Sequence, residues 1–248
     1  MILLKSPQEL AKMEVANRIV AEVLAGVKER VQPGIETREL DELAEEMCRR
    51  HQVEPAFKGY RGYPSSLCIS VNDEIVHGIP GARRIKAGDL VSLDFGVKHQ
   101  GYYGDAALTV AVGEVDPRSR ELLEVTEKSL YAGIDQARVG KRLSDISHAV
   151  QTVVEGAGFG VIREFVGHGI GRSLHEDPQI PNFGPPGRGP LLQAGMTLAI
   201  EPMTSMGAWQ VKILPDGWTA VTQDGSRAAH FEHTVAVTAN GPLILSKL

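Results

Sequence analysis

The chain has 248 residues, enough for one large domain or two small ones, and it carries 26 Lys and Arg residues against 31 Asp and Glu residues. Its 42% hydrophobic and 23% charged residues exclude collagen-like, mucin-like and wholly disordered proteins. The net charge of −5 argues against a protein that mainly coats nucleic acid, and two cysteines without a CxxC pair favour a reducing compartment.

Two helices and a strand region are predicted in the first half. Ser6-Pro7-Gln8-Glu9 has the N-cap, first-turn proline and capping-box glutamate of a helix start, and apolar residues recur at helical spacing as far as Val27. This helix ends before the Pro-Gly pair at residues 33–34, and a second helix fits residues 37–51. Short β-rich runs between turn signals predict strands over residues 66–113.

The second half repeats the order of two helices followed by strands. Asp116-Pro117 opens a helix to about Arg138, and a further helix fits Ser144 to about Ala157. From residue 161 the pattern is that of strands with loops, including a Pro- and Gly-rich segment over residues 177–190 that we interpret as a surface loop or rim.

A comparison of the two halves at an offset of 106 to 107 residues indicates an internal repeat. Segment 87–94 lies opposite segment 194–201, and each ends an apolar strand with a carboxylate, Asp94 or Glu201. A carboxylate in such a place is costly to bury unless it is paired or bound to a metal. The repeat predicts halves at about 1–113 and 114–248 and is compatible with a single domain over residues 1–248.

Five residues stand out by context as candidate metal ligands. Four carboxylates and one imidazole form a hard, oxygen-dominated set that suits Mn²⁺, Fe²⁺, Co²⁺ or Zn²⁺ and is large enough for two ions. The five are Asp94, Asp105, His168, Glu201 and Glu232.

These residues and the motifs around them resemble the type I methionine aminopeptidases of bacteria over essentially the whole chain. The resemblance implies the α/β pita-bread fold, in which two pseudo-symmetric halves close around a dinuclear metal site. The motifs are His77-Gly-Ile-Pro, Asp94, Asp105, Gly167-His-Gly-Ile-Gly, Leu174-His-Glu-Asp-Pro, Glu201-Pro-Met, Asp216-Gly-Trp-Thr and Phe231-Glu-His-Thr.

The resemblance also assigns roles to the candidate ligands. It implies that all five hold two divalent cations, with Asp105 and Glu232 bridging them and His168 on one of them. Such a pair polarises the scissile carbonyl and activates a bridging water. By the same resemblance, His77 contacts the scissile amide, His175 contacts the carbonyl oxygen, and Glu201 is the expected proton shuttle.

The resemblance places a methionine side-chain pocket among aromatic and sulfur-bearing residues. The expected lining is Tyr60, Tyr63, Cys68 and Trp218, whose rings and sulfur favour a thioether. One departure from the family pattern is Leu174, which precedes His175 where related proteins often carry an aromatic residue. His51, His99, His148, His230 and His233 are interpreted as surface or packing residues, with His233 a candidate for contact with the metal ligands.

The implied function is removal of the initiator methionine from nascent polypeptides with a small second residue. The implied setting is a cytoplasmic monomer near the ribosome, without sequence-specific nucleic-acid binding and without a membrane span, since no run approaches roughly 18 apolar residues. Two alternatives stay open. A proline-specific peptidase of the same fold generally carries an N-terminal domain for which residues before position 6 leave no room. A non-catalytic binding protein would lack ligands that are all present here.

Overall fold

The computed structural model describes residues 1–248 and contains four α-helices, which are α1 (Pro7–Arg30), α2 (Thr37–His51), α3 (Pro117–Ile134) and α4 (Leu143–Gly156). The predicted capping box of α1 is confirmed, because Glu9 N–H donates to Ser6 Oγ and Ser6 N–H donates to the Glu9 carboxylate. The bounds predicted for α2 match those observed. No helix is both long enough and apolar enough to cross a bilayer.

The predicted end of the third helix, near Arg138, is wrong. After Gly133 the backbone tightens into turns in which Gln136 N–H donates to the Gly133 carbonyl and Ala137 N–H donates to the Ile134 carbonyl. These bonds span three residues instead of four, so the α-helix ends at Ile134 and a turn follows it.

The strands are short except for the hairpin at the centre of the first half. They are β1 (Glu54–Pro55), β2 (Leu67–Val71), β3 (Glu74–Val76), β4 (Leu90–His99), β5 (Tyr102–Ala111), β6 (Gly160–Val161), β7 (Gly167–Gly169), β8 (Glu176–Ile180), β9 (Thr197–Ile200), β10 (Met203–Ser205), β11 (Val211–Ile213), β12 (Ala220–Thr222), β13 (Ala228–His230), β14 (Glu232–Thr238) and β15 (Gly241–Ile244). Because β8 covers residues 176–180, the segment predicted as a loop over 177–190 begins as an edge strand.

One antiparallel sheet of nine strands runs through both predicted halves in the order β1-β4-β5-β14-β9-β7-β8, with β2 also paired to β4 and β15 to β14. The halves meet where β5 pairs with β14, with Ala107 opposite Glu232. Two three-stranded sheets, β13-β10-β6 and β11-β12-β3, complete the strands. The predicted mixed α/β class is confirmed.

Two hydrophobic cores lie on the helix side of this sheet. One contains 19 buried residues, all between positions 16 and 112. The other contains 20, and all but Leu90 lie between positions 122 and 237. Each half therefore packs its own pair of helices, while the internal repeat itself stays a prediction.

Candidate metal centre

Register places three of the candidate ligands on one face of the large sheet. Asp94 on β4 and Glu232 on β14 lie opposite the same residue of β5, Ala107, so the side chains of Asp94 and Glu232 share the sheet face of Ala107. Asp105 lies two residues before Ala107 on β5 and projects to the same side, because side chains alternate along a strand.

The same argument brings the two remaining ligands to that face. His168 on β7 and Thr234 on β14 both lie opposite Ala199 of β9, so His168 shares the face of Thr234 and hence of Glu232, two residues earlier. Glu201 follows Ile200 at the end of β9 and stands two residues beyond Ala199. Five residues, on or directly after five different strands, therefore lie on the same face of the sheet.

Distances within the cluster are those of ligands that share a centre. Nε2 of His168 lies 3.4 Å from Oε1 of Glu201 and 4.0 Å from Oδ2 of Asp105. Ligand atoms of Asp105, His168 and Glu232 all lie within 4.8 Å of one another, and the same limit holds for a second group of Glu201, His230 and Glu232. Asp94 stands outside both groups, at the β4 side of the pocket.

The tautomer of His168 suits metal binding. Its Nδ1 lies 2.9 Å from the carbonyl oxygen of Gly169 and donates to it. That bond places the ring proton on Nδ1 and leaves the Nε2 lone pair directed toward Asp105 and Glu201. The imidazole is therefore oriented as a ligand by the backbone of its own strand.

The carboxylates repel one another in a site with little solvent. Burial raises the pKa of Asp94 to about 7 against an opposing effect of His230, and burial raises the pKa of Glu201 to about 7. Burial, followed by the charges of Asp94 and Glu201, raises the pKa of Asp105 well above its usual range. Burial and the Asp105 charge raise the pKa of Glu232 in the same direction.

Three carboxylate oxygens of this cluster are suited to binding a cation. Oδ1 of Asp94, Oδ1 of Asp105 and Oε1 of Glu232 are buried without a hydrogen-bond donor. Buried acceptors of this kind are costly unless they are paired with a cation. Hard carboxylate oxygens and a single imidazole fit divalent cations of the Mn²⁺, Fe²⁺, Co²⁺ and Zn²⁺ class. The residues present therefore fit divalent metal.

The candidate ligands line one wall of a pocket with a volume of ≈ 150 Å³. An engineered apolar cavity of about this size binds benzene, so the space suits one medium-sized side chain. The apolar wall of this pocket contains Tyr60, Tyr63, Cys68 and Trp218, the four residues predicted for it, together with Phe57 and Leu174. The ring of Tyr63 contacts that of Trp218 edge-on, at 5.2 Å between centroids.

The two histidines predicted to act on the substrate, His77 and His175, also line the pocket. Nδ1 of His175 lies 3.0 Å from the hydroxyl of Tyr60, and its ring lies 4.1 Å from that of His168. Burial, with the nearby His168, lowers the pKa of His175 to about 3. Burial, with His230, lowers the pKa of His77 to about 4, so both imidazoles are neutral at pH 7.

His77 holds an uncommon backbone conformation, with φ = 60° in the left-handed region. Its ring meets Phe165 and Trp218 edge-on, with centroid distances of 5.3 and 6.4 Å. Strained residues of this kind cluster at ligand-binding sites. The turn after β3 thus fixes the ring against the apolar wall.

The structure brings together all eleven residues predicted for the site and adds others that the sequence did not indicate. Phe57 and Arg61 are the new lining residues, and Leu174, noted in the sequence as a departure from the family pattern, also lines the pocket. His230, interpreted from sequence as a surface or packing residue, is 1% exposed and lies 3.6 Å from Glu201. Its position two residues before Glu232 was the available signal. His233 instead faces Ser246, with its Nδ1 2.9 Å from Oγ, on the opposite side of the sheet.

The chain is similar to known metallopeptidases in sequence and in structure. The model of metallopeptidase family M24 matches residues 11–239 of the chain. Methionine aminopeptidase 1 of Bacillus subtilis (strain 168) is 53% identical over 248 residues, 100% of both chains. The crystal structure of a methionine aminopeptidase from Thermotoga maritima matches with a TM-score of 0.99 at 52% identity, covering 100% of both chains.

A more distant structure shows how far the architecture extends. The prolidase from Pyrococcus horikoshii OT3 matches with a TM-score of 0.80 at 24% identity, and this chain covers 64% of it. At that identity the likeness concerns the fold alone. Together with the closer relatives, it confirms the predicted pita-bread fold.

Proposed function

This chain belongs to metallopeptidase family M24, and on that premise we propose how it acts as a methionine aminopeptidase. Asp94, Asp105, His168, Glu201 and Glu232 would hold two divalent cations, with Asp105 and Glu232 as the ligands that both would share, beside a pocket that accepts the methionine side chain. The observation that carries the proposal is the convergence of these ligands on one sheet face, in a pocket that also has an apolar wall. The cations are of the Co²⁺, Mn²⁺, Fe²⁺ or Zn²⁺ class.

The cations would supply the electrophilic part of the chemistry: when bound, they would polarise the scissile carbonyl and lower the pKa of the attacking water. Glu201 takes the proton of the attacking water and returns it to the leaving amine. Its position at the end of β9, in the pocket and beside His168, supports this role, because a proton acceptor must lie within reach of the reacting groups.

His175 and His77 act on the peptide group. The Tyr60 hydroxyl, 3.0 Å from Nδ1 of His175, donates to that nitrogen and leaves the ring proton on Nε2. Nε2–H then donates to the carbonyl oxygen, where negative charge develops during hydrolysis. His77, neutral and held by two aromatic contacts, hydrogen-bonds the scissile amide.

The apolar wall explains selection of methionine. Tyr63, Trp218 and Tyr60 offer ring edges and faces, which attract a thioether sulfur, and Cys68 is small enough to leave depth behind them. A pocket of ≈ 150 Å³ has room for one side chain. When that side chain is the first of the substrate, the first peptide bond lies beside the candidate metal ligands. Leu174 shapes the same wall without adding a ring.

Both alternatives have less support. A proline-specific peptidase is represented by the prolidase at 24% identity, against 53% for the methionine aminopeptidase of Bacillus subtilis. A non-catalytic binding protein would not retain five carboxylate and imidazole ligands at a buried, like-charged site, because such a site is costly without metal.

Release of methionine from Met-Ala-Ser tests this function. Protein stripped of metal and reloaded with Mn²⁺, Fe²⁺, Co²⁺ or Zn²⁺ releases methionine from Met-Ala-Ser faster than from Met-Leu-Ser, and releases no proline from Pro-Ala-Ser. Asp105→Asn abolishes release, whereas Asp73→Asn, at a half-buried aspartate in the turn between β2 and β3, is the matched control and leaves release unchanged. Absence of methionine release with all four cations contradicts the proposal.

We further propose the setting in which the enzyme works. It acts in the cytoplasm, as a monomer, on nascent polypeptides that leave the ribosome with an N-terminal methionine. Support comes from the named function of its relatives. Light scattering on the protein as it elutes from a size-exclusion column should give the mass of one chain. The mass of a dimer would contradict the monomeric state.

A further inference from the structure

His230 is a buried histidine with no assigned partner at the edge of the metal centre. It is the last residue of β13 and is 1% exposed. Neither Nδ1 nor Nε2 forms a hydrogen bond, although both are shielded from solvent. Buried ring nitrogens in native proteins nearly always have a partner, so an unpaired imidazole requires an explanation.

The nearest acidic group explains it. Nε2 of His230 lies 3.6 Å from Oε2 of Glu201, while the other oxygen, Oε1, lies 3.4 Å from Nε2 of His168. Two imidazoles thus face the two oxygens of one carboxylate. His168 lines the pocket and His230 does not, so His230 lies behind Glu201 as seen from the substrate.

The backbone of His230 is held more firmly than its ring. Oγ1 of Thr109 accepts from His230 N–H at 2.9 Å and donates to its carbonyl oxygen at 2.8 Å. Thr109 Oγ1 is itself 2.8 Å from Oγ of Ser92. Since Ser92 and Thr109 lie on β4 and β5, this contact ties β13 to the strands that carry Asp94 and Asp105.

We propose that His230 is a positioning residue of the metal centre: its Nε2–H donates to Oε2 of Glu201 and directs Oε1 toward the cation that His168 binds. Oε2 keeps a further lone pair for the proton that Glu201 takes. The inference rests on the proposed function, because it needs a cation at His168 and Glu201. Groups that orient a metal ligand commonly contribute 10- to 100-fold in metal affinity.

Titration of Mn²⁺ into the apoprotein tests this role. His230→Ala should weaken one class of Mn²⁺ sites by about 10- to 100-fold and leave the number of ions at saturation unchanged. His230→Gln should restore most of the affinity, because its amide can donate to the same oxygen. His148→Ala, at an exposed histidine of α4, is the matched control.

Separate outcomes distinguish the two proposals. If the wild-type protein binds none of Mn²⁺, Fe²⁺, Co²⁺ and Zn²⁺, the proposed function fails. If it binds Mn²⁺ and both His230 variants have the wild-type isotherm, only the role of His230 is overturned. A role in folding alone is recognised by a lower melting temperature of the apoprotein with unchanged Mn²⁺ affinity. Loss of one nitrogen ligand from the X-ray absorption spectrum of Co²⁺-loaded His230→Ala would make His230 a direct ligand and also overturn it.

Discussion

Replacement of His77 by asparagine separates catalysis from metal binding. The substitution removes the imidazole but keeps the backbone, because asparagine tolerates the left-handed conformation that His77 adopts at φ = 60°. His77 belongs to neither group of candidate ligands, so the bound metal should be retained. His148→Asn, on the exposed face of α4, is the matched control.

The two effects of His77→Asn have different sizes. The ring loses edge contacts to Phe165 and Trp218, each worth about 0.5–1.5 kcal/mol, so unfolding free energy falls by about 1–3 kcal/mol. Loss of one hydrogen bond that acts in the transition state lowers kcat by about 10²- to 10³-fold. Turnover should therefore fall far more than stability does.

The assay combines kcat on Met-Ala-Ser with metal content by plasma mass spectrometry. We expect wild-type metal content, a melting temperature a few degrees lower, and kcat reduced by about 10²- to 10³-fold. Loss of one metal equivalent from His77→Asn would refute the reasoning, because it would make His77 a ligand. Retention of wild-type kcat would equally refute its contact with the substrate.

Three further variants test other parts of the site. Glu201→Gln should lower kcat by about 10²- to 10⁴-fold and weaken one Mn²⁺ site, and an unchanged kcat would exclude Glu201 as the proton acceptor. Cys68→Leu should fill the pocket and lower kcat/KM for Met-Ala-Ser by about 10- to 200-fold, whereas an unchanged value would place the methionine side chain elsewhere. Burial lowers the pKa of His233 to about 4, below its unfolded value of about 6.5, so the stability that depends on neutral His233 is fully present above pH 6.5 and is lost as the pH falls toward 4. Between pH 6.5 and pH 4, the unfolding free energy of His233→Gln in urea should fall by up to about 3 kcal/mol less than that of the wild type. Equal decreases in the two proteins would contradict this prediction.

Local signals in the sequence predict the helices well. The capping box at Ser6 and Glu9 and the bounds of α2 depend on residues close in sequence, and both are observed. The third helix shows the limit, because apolar spacing continues past Ile134 while the backbone bonds tighten after Gly133. The pairing of β5 with β14 joins positions more than a hundred residues apart, so no local pattern indicates it.

The candidate site follows the same division. Asp94 and Glu201 attract notice because each ends an apolar strand, and the structure places them in one pocket. The position of His230 two residues before Glu232 is a weaker signal, because the burial of His230 depends on its pairing with Met203 and on the hydroxyl of Thr109 from the other half. A side chain that lies behind a metal ligand, as His230 lies behind Glu201, can be identified only when the pairing of the strands is known.

The central claim is that the converging carboxylates and His168 hold two cations. The most direct measurement is anomalous scattering from crystals of the protein loaded with Mn²⁺. We expect two peaks about 3.5–4 Å apart, both in contact with Asp105 and Glu232 and one of them with His168. A single peak, or peaks away from these side chains, would contradict the account.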